Sequence, residues 1–331
     1  MFQRLLVSIV PVLLCGTLRA EPRTAAPPGL PAAQRDLVRR TYRVLPGKQG
    51  LVYLAATVGV VVADVSDPAH PVYAGVVPLP GSVNDLAWVA GKLVAAIGPS
   101  GIAVIDASSP QAPRLVSRLK LAGAAMGLSA RGDTVLVASG TAGLQIVDLS
   151  TPEKPRKVAH HDTPGYARAV RVSGHLVYLA DGPRGVAVLN LEGQRLREAT
   201  VVPTKGHVYD IDVEGESLLV AEGHAGLARY NISDSTRPRL AGRLPVEDTA
   251  RGVDASGRRA VVADGTKGVL LVDAAGAPRA LDRFVPERSA NSAVLQGERV
   301  LVANDYDGLL ILAVSPEGKL SRVGSLPPAG K

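Results

Sequence analysis

The chain has 331 residues, a formal net charge of +7 and a single cysteine. One cysteine excludes both a disulfide framework and a thiolate metal site. Residues 1–48 hold eight basic and two acidic residues, so the rest of the chain carries only about +1. This distribution excludes the clustered basic face that nucleic-acid binding requires.

Residues 1–20 have the outline of a secretory signal peptide. Arg4 precedes an apolar run from Leu5 to Leu14, and small residues surround Ala20. The run is too short to span a membrane, which takes about 20 apolar residues. We therefore expect cleavage near Ala20 and a secreted, periplasmic or cell-surface protein. Cleavage before Cys15 with lipid anchoring through that residue is the alternative, although Leu14 does not fit the usual lipoprotein site.

The next segment, residues 21–41, is rich in Pro, Ala and Arg and is interpreted as a tether. Residues 42–331 then repeat one pattern, which is clearest in GLQIVDLSTPEKPRK from Gly143. The leading glycines lie 42, 42, 42, 41, 42 and 40 residues apart. They are Gly59, Gly101, Gly143, Gly185, Gly226, Gly268 and Gly308. A fixed period in the low forties is typical of β-propellers or of stacked helix pairs.

Composition within the unit favours strands. Val, Leu and Ile occur in runs of five to seven residues between Gly, Pro, Ser and Asp, without helical spacing. Four runs fit each period, and in the third unit they are AMGLSA, TVLVASG, GLQIVDLS and PRKVAHHDT. The sequence therefore predicts an all-β, seven-bladed β-propeller of four-stranded antiparallel blades. Its first inner strand should begin near Tyr42, and the ring should close without strand exchange.

The units resemble the LVIVD repeat. That family's pattern is a strand ending in ADG followed by GL-x-IVDVS-x-P, which GLQIVDLSTP matches almost letter for letter. The resemblance covers roughly residues 42–326. Asn190 and Ala313 depart from the pattern at the position of its aspartate. The resemblance implies a β-propeller of a secreted or surface-attached bacterial protein far more strongly than it implies an activity.

In a propeller, ligands bind where the connections between blades meet the loops between the second and third strands, over the central channel. At these positions of the repeat, blades four to seven have polar residues, which predicts a polar face on that side of the ring. The candidate ligand-binding residues are Tyr166, Arg168, His207, Tyr209, Asp210, Arg251 and Tyr306. A second set could act as oxygen and nitrogen ligands of a metal: Asp181, Glu222, His224, Asp264 and Asn304. Ca²⁺ is the cation that such oxygen ligands would hold. The alternative is that each residue caps its own turn, and this interpretation is favoured.

No catalytic motif such as G-x-S-x-G or HExxH is present. Aromatic residues make up only 3% of the chain, which disfavours a lectin that stacks sugars on exposed rings. We therefore expect a non-enzymatic extracytoplasmic binding or scaffold propeller for a protein or surface-polymer ligand, without a cofactor. The alternative is an enzyme with a metal-assisted hydrolase or lactonase-like site over the channel. Its residues would be Asp181, His207, Glu222, His224, Arg251 and Asp264.

Overall fold

The computed structural model describes residues 40–57 and 59–327. These residues form seven four-stranded antiparallel sheets, each made of four consecutive strands. The predicted signal peptide and most of the tether lie outside the described residues. Within them, no helix has the length and apolar character needed to cross a membrane.

The blades follow the chain in order. Blades one and two comprise β1 (Thr41–Pro46), β2 (Leu51–Ala56), β3 (Gly59–Asp64), β4 (Val72–Pro78), β5 (Asp85–Val89), β6 (Lys92–Ala96), β7 (Ile102–Asp106) and β8 (Arg114–Leu119). Blades three and four comprise β9 (Gly127–Arg131), β10 (Thr134–Ala138), β11 (Leu144–Asp148), β12 (Arg156–His161), β13 (Ala169–Ser173), β14 (Leu176–Ala180), β15 (Val186–Glu192) and β16 (Arg195–Val202). Blades five and six comprise β17 (Asp210–Glu214), β18 (Ser217–Ala221), β19 (Leu227–Asn231), β20 (Arg239–Leu244), β21 (Gly252–Ser256), β22 (Arg259–Ala263), β23 (Val269–Asp273) and β24 (Arg279–Phe284). Blade seven comprises β25 (Ser292–Gln296), β26 (Arg299–Ala303), β27 (Leu309–Val314) and β28 (Leu320–Leu326).

The hydrophobic core lies between the blades. Each of seven clusters of Val, Leu, Ile and Ala joins two neighbouring blades. The middle strands of every blade supply most of these side chains, because each of their two faces is covered by a neighbouring blade. This explains the continuous apolar runs such as VLVA in β10 and LLILAV in β27, since a strand that is buried on both faces does not alternate with polar residues.

The third and outer strands share one irregularity in every blade. Their pairing shifts by one residue at the same point, which in blade three lies between Ile146 and Val147. A bulge of this kind increases the local right-handed twist of a strand pair. Its repetition gives all seven blades a similar twist, which neighbouring blades need in order to pack face to face.

The first and last blades close the ring by packing. β1 contacts β25 and β26, and one apolar cluster joins Val44 and Leu54 of blade one to Leu301 and Ile311 of blade seven. The backbone amide of Thr41 donates to the carbonyl of Asp305 at 3.0 Å. No strand within the described residues is exchanged between these two blades, as the repeat pattern predicted.

The glycine that leads each repeat occupies a position that favours glycine for two reasons. Gly143 has φ of 63°, a conformation that residues with a Cβ rarely adopt. A Cβ at this position would also overlap the carbonyl of His161 on the outer strand. The glycine therefore permits both a tight turn into the third strand and close approach of the outer strand.

Candidate functional site

One face of the ring is formed by the connections between blades and the loops between second and third strands, as predicted; we call its centre the mouth. Here the loop of one blade bonds to the residues before the inner strand of the next. Gly140 and Ala167, for example, exchange two backbone hydrogen bonds of 3.0 Å. Corresponding bridges join Gly98 to Ala125 and Gly223 to Ala250. The mouth is thus a rigid rim on which side chains are held in fixed positions.

Seven side chains surround the mouth, one from each blade, each next to the start of an inner strand. In blades two to seven the amide of this residue donates to the last alanine of the second strand, as Arg168 does to the Ala180 carbonyl at 2.8 Å. The seven residues are Tyr42, Asn84, Met126, Arg168, Tyr209, Arg251 and Asn291. All are partly exposed. The fold therefore brings together three of the predicted ligand-binding residues, which are Arg168, Tyr209 and Arg251.

Arg168 lies between two aromatic rings. Its guanidinium carbon is 5.1 Å from the ring centre of Tyr166 and 4.8 Å from that of Tyr209. Both contacts have cation–π geometry, because the ring faces attract a positive charge. In the part of the chain that the structure describes, Arg168 makes no ion pair, and its buried Nε has no hydrogen-bond partner. We call Tyr166, Arg168 and Tyr209 the arginine sandwich.

A second arginine closes the ring at the mouth. Arg40 donates through Nε to Oδ1 of Asp305 at 2.7 Å and lies 4.8 Å from the ring centre of Tyr306. Tyr306 is 45% exposed. Asp305 has φ of 44°, at a position where five other blades have glycine. Its carboxylate is therefore held at the junction of blades one and seven, and Tyr306 is held beside it.

The remaining predicted mouth residues differ in position. Arg251 donates to the side-chain carbonyl of Asn291 at 3.2 Å, and His207 is exposed before β17. Asp210 lies deeper than predicted. It begins β17 and is fully buried, so it faces the central channel and not the solvent at the mouth.

The channel holds a cluster of opposite charges that the sequence interpretation did not identify as a unit. Arg43 of β1 donates to Asp210 at 2.6 Å across the channel and lies 3.5 Å from Asp85 of β5. Arg171 of β13 lies 3.2 Å from Asp212. Asp254 of β21 completes the channel cluster, and the remaining cavity of about 400 Å³ is lined by several of these groups. The signal was present in the sequence, since Arg43, Asp85 and Asp210 occupy one position of the repeat at which the other four blades have glycine, alanine or serine.

Burial and charge act in opposite directions on the channel groups. Burial tends to raise the pKa of Asp210, but Arg43 and Arg171 outweigh it and lower that pKa. For Asp85, burial outweighs the same two arginines and raises the pKa. Burial, followed by repulsion from Asp212, raises the pKa of Asp254 to about 7. The cluster has four carboxylates and two guanidiniums, so Asp254 is the group left without a sufficient countercharge.

The channel carboxylates also stabilise the edges of the inner strands. Each accepts a hydrogen bond from a backbone amide of the following blade. Asp85 accepts from Leu128 at 2.8 Å, Asp212 from Ala255 at 2.9 Å and Asp254 from Leu295 at 2.8 Å. An inner strand has no further strand to pair with, so these side chains replace the missing partner. The charges in the channel therefore have a structural role.

The four candidate oxygen ligands lie in separate blades, and His224 shares the blade-five loop with Glu222. Asp181, Glu222, Asp264 and Asn304 are all buried beneath the loop of their own blade. His224 is exposed, and its Nδ1 lies 2.7 Å from the Asp248 carbonyl. Because a carbonyl can only accept, Nδ1 carries the proton. No group of three or more His, Cys, Asp or Glu side chains in residues 40–57 and 59–327 is arranged to hold a metal ion.

Each buried carboxylate holds the connection that enters its blade. Asp264 accepts from the backbone amides of Glu247 and Asp248 at 3.1 and 3.0 Å and from Arg283 at 2.7 Å. Asp181 accepts from the Thr163 hydroxyl at 2.7 Å and the Gly165 amide at 3.1 Å. We call these contacts the loop clamps.

In blade five the carboxylate of the loop clamp belongs to a glutamate. Glu222 pairs with Arg243 and accepts from the Lys205 amide at 3.3 Å. In blade seven the corresponding residue is Asn304, whose Oδ1 is buried without a partner among the described residues. Three of the four predicted oxygen ligands thus have structural partners, but these lie on the connection that enters the blade and on an outer strand, not in the turn that each residue was expected to cap.

Comparison with known proteins agrees with this architecture. The LVIVD repeat family model matches residues 49–78, 122–163 and 164–189. No curated protein matches the sequence. Among solved structures, the computationally designed Ika8 protein is similar, with a TM-score of 0.66, 11% identity and coverage of 88% of this chain and 89% of that one. Sqt1 of Saccharomyces cerevisiae has a TM-score of 0.64 and 12% identity, with coverage of 88% of this chain and 87% of that one. At such identities the likeness concerns the fold alone, and the chain is a seven-bladed β-propeller that carries LVIVD repeats.

Proposed function

We propose that the protein is a non-enzymatic binding propeller of the extracytoplasmic space, which presents its mouth to a protein or surface-polymer ligand. The observation that carries this proposal is the arginine sandwich. Arg168 is held on a rigid rim between two rings and makes no ion pair among the described residues. Such preorganised Tyr and Arg side chains are typical of the centres of binding surfaces.

The distribution of carboxylates supports binding over catalysis. A hydrolase needs a base and ligands that converge on one reacting centre. Asp181, Glu222 and Asp264 instead bind amides, a hydroxyl or guanidiniums within their own blades. The groups at the mouth that remain available are cationic, aromatic or amide side chains, which recognise a ligand without transforming it.

The extracytoplasmic location is proposed from residues 1–20. Mass spectrometry of the protein from its native cells should find a mature N-terminus near Glu21 outside the cytoplasm. A diacylated N-terminal Cys15 would make it a lipoprotein. Cytoplasmic protein that begins at Met1 would contradict both forms of the proposal.

Ligand capture with matched variants tests the binding function. The wild-type chain, a mouth variant with Tyr166→Ala, Arg168→Ala and Tyr209→Ala, and a control with Arg131→Ala are immobilised and exposed to envelope extract. Arg131 is the last residue of β9, next to the β9–β10 turn, on the opposite face of the propeller. We expect a ligand that the wild type and the control retain and that the mouth variant loses. Equal retention by all three proteins would place binding elsewhere, and turnover of a captured compound would favour the hydrolase.

A further inference from the structure

We infer that Arg168 anchors a carboxylate side chain of an acidic protein segment at the mouth; this inference rests on the proposed binding function. It names the chemistry of the ligand and the residue that selects it.

Three neighbouring arginines are paired with carboxylates, and Arg168 is not. Arg184 contacts Glu198 at 2.7 Å, and Arg171 contacts Asp212 at 3.2 Å. Arg243 pairs with Glu222. Within residues 40–57 and 59–327, Arg168 has only the faces of Tyr166 and Tyr209. Its guanidinium is partly withdrawn from water without the countercharge that the other three have, so an external carboxylate would find a partly desolvated cation in a fixed position.

The buried carboxylates in this sector are bound to other partners. Asp210 is bound to Arg43, Asp181 to Thr163 and Glu222 to Arg243. On the connection that leads to Tyr209, Lys205 and His207 are exposed. Around Arg168 this sector therefore presents exposed and partly exposed donors beside buried and satisfied acceptors, and Asp162, directly after β12, is its exposed carboxylate. The surroundings of Arg168 complement a negatively charged segment.

The sandwich geometry favours a polypeptide over a polysaccharide. Sugars bind aromatic residues by stacking on a ring face. Tyr166 and Tyr209 each already direct one face at Arg168. The rings hold the guanidinium plane in place, and a planar fork of donors is matched by the carboxylate of a Glu or Asp side chain.

Fluorescence anisotropy of a short labelled polyglutamate peptide at low ionic strength tests the inference on the full-length protein. The probes for comparison are the equivalent labelled polyglutamine peptide and labelled polygalacturonate, each titrated separately. We expect the glutamate peptide to bind at least about tenfold more tightly than the glutamine peptide, a difference of about 1.4 kcal/mol. Binding should weaken with added salt, because the contact is ionic.

Three variants make the result specific to Arg168. Arg168→Gln keeps a long polar side chain and should abolish the preference for glutamate, whereas the opposite-face control Arg131→Gln should keep it. Arg168→Lys should weaken binding by about tenfold, because an ammonium cannot form the bidentate pair. Unfolding curves of all variants should coincide with that of the wild type, which separates lost recognition from lost folding.

Two outcomes would overturn the inference. Undiminished preference for glutamate in Arg168→Gln would place the anionic contact elsewhere, and a wild type that binds polygalacturonate but not the peptide would make the ligand a polysaccharide. Either outcome leaves the binding function intact, provided that the triple mouth variant still loses the ligand captured from envelope extract. If the triple mouth variant retained the captured ligand, both proposals would be contradicted.

Discussion

Two arginines on one inner segment, Arg168 and Arg171, are three residues apart and have opposite environments. Arg171 points into the channel, where Asp212 lies 3.2 Å and Asp210 3.8 Å away. Arg168 stands at the mouth between Tyr166 and Tyr209, without an ion pair among the described residues. In the channel, ion pairs therefore hold the blades together. At the mouth, the guanidinium of Arg168 is available to a ligand. Predictions about the two regions differ accordingly.

The largest effect should come from breaking the channel cluster. Asp210→Ala removes the buried partner of Arg43, which donates to it at 2.6 Å across the ring. A buried charge left without its partner lowers the free energy of unfolding by about 3–5 kcal/mol. Denaturant unfolding of this variant measures the loss, with Asp133→Ala, in an exposed turn on the opposite face, as the control. A loss below about 1 kcal/mol would show that the channel ion pairs do not stabilise the ring.

The loop clamps should come second. Asp264→Ala leaves the amides of Glu247 and Asp248 and the Arg283 guanidinium without their acceptor. We expect a loss of about 2–3 kcal/mol in the free energy of unfolding, because donors close to the core lose their partner.

Blade three offers a matched control for the loop clamp. Ser139 occupies the position of Asp264 there and donates only to the carbonyl of Val137, at 3.3 Å. Ser139→Ala should therefore lower the free energy of unfolding by about 1 kcal/mol or less. Equal losses in the two variants would mean that the polar loops of blades four to seven add nothing to stability.

The third prediction concerns pH and Asp254. Burial and Asp212 raise its pKa in the folded protein to about 7, against about 3.9 in an unfolded chain. The contribution of the protonated group is fully present below the unfolded value and is lost as pH rises through the folded value. Stability from this residue should thus fall between about pH 4 and 7.

Asp254→Asn isolates that contribution, because an amide oxygen can still accept from Leu295 and cannot ionise. The advantage of the variant over the wild type in free energy of unfolding should grow by about 2 kcal/mol between pH 5 and 7 and level off above about pH 8. Thermal unfolding of both proteins at several pH values measures this difference. A difference that does not change with pH would show that Asp254 titrates normally in the fold.

The sequence predicted the ring, the blade order and the mouth face because the period fixes them. Gly143 and its equivalents mark one strand boundary per repeat, and every other element follows at a constant offset. The same phase placed Arg168 and Tyr209 at the mouth. It could not show that Arg168 lies between Tyr166 and Tyr209, since side-chain direction depends on packing against the next blade.

The channel cluster escaped prediction for a related reason. Arg43 and Asp210 lie in blades one and five, which are far apart in sequence, and only closure of the ring brings them within 2.6 Å. Neither residue belongs to a local motif. Asp254 was missed because its raised pKa arises from burial and from Asp212, which lies across a blade boundary, and neither cause is visible in a single repeat.

The smallest effect should follow the addition or removal of Ca²⁺. The carboxylates of Glu222 and Asp264 are neutralised by Arg243 and Arg283 in separate blades, so a cation would have to displace an arginine at each. Below its dissociation constant a ligand raises the free energy of unfolding by less than about 0.4 kcal/mol, and we expect no larger shift with millimolar Ca²⁺ or with a chelator. Thermal unfolding with Ca²⁺ or a chelator measures this shift, and metal analysis of the purified protein shows whether any metal is bound. A clear shift that disappears in both Glu222→Ala and Asp264→Ala would show that the loop clamps bind metal, and the binding-propeller proposal would then give way to the metal-assisted hydrolase.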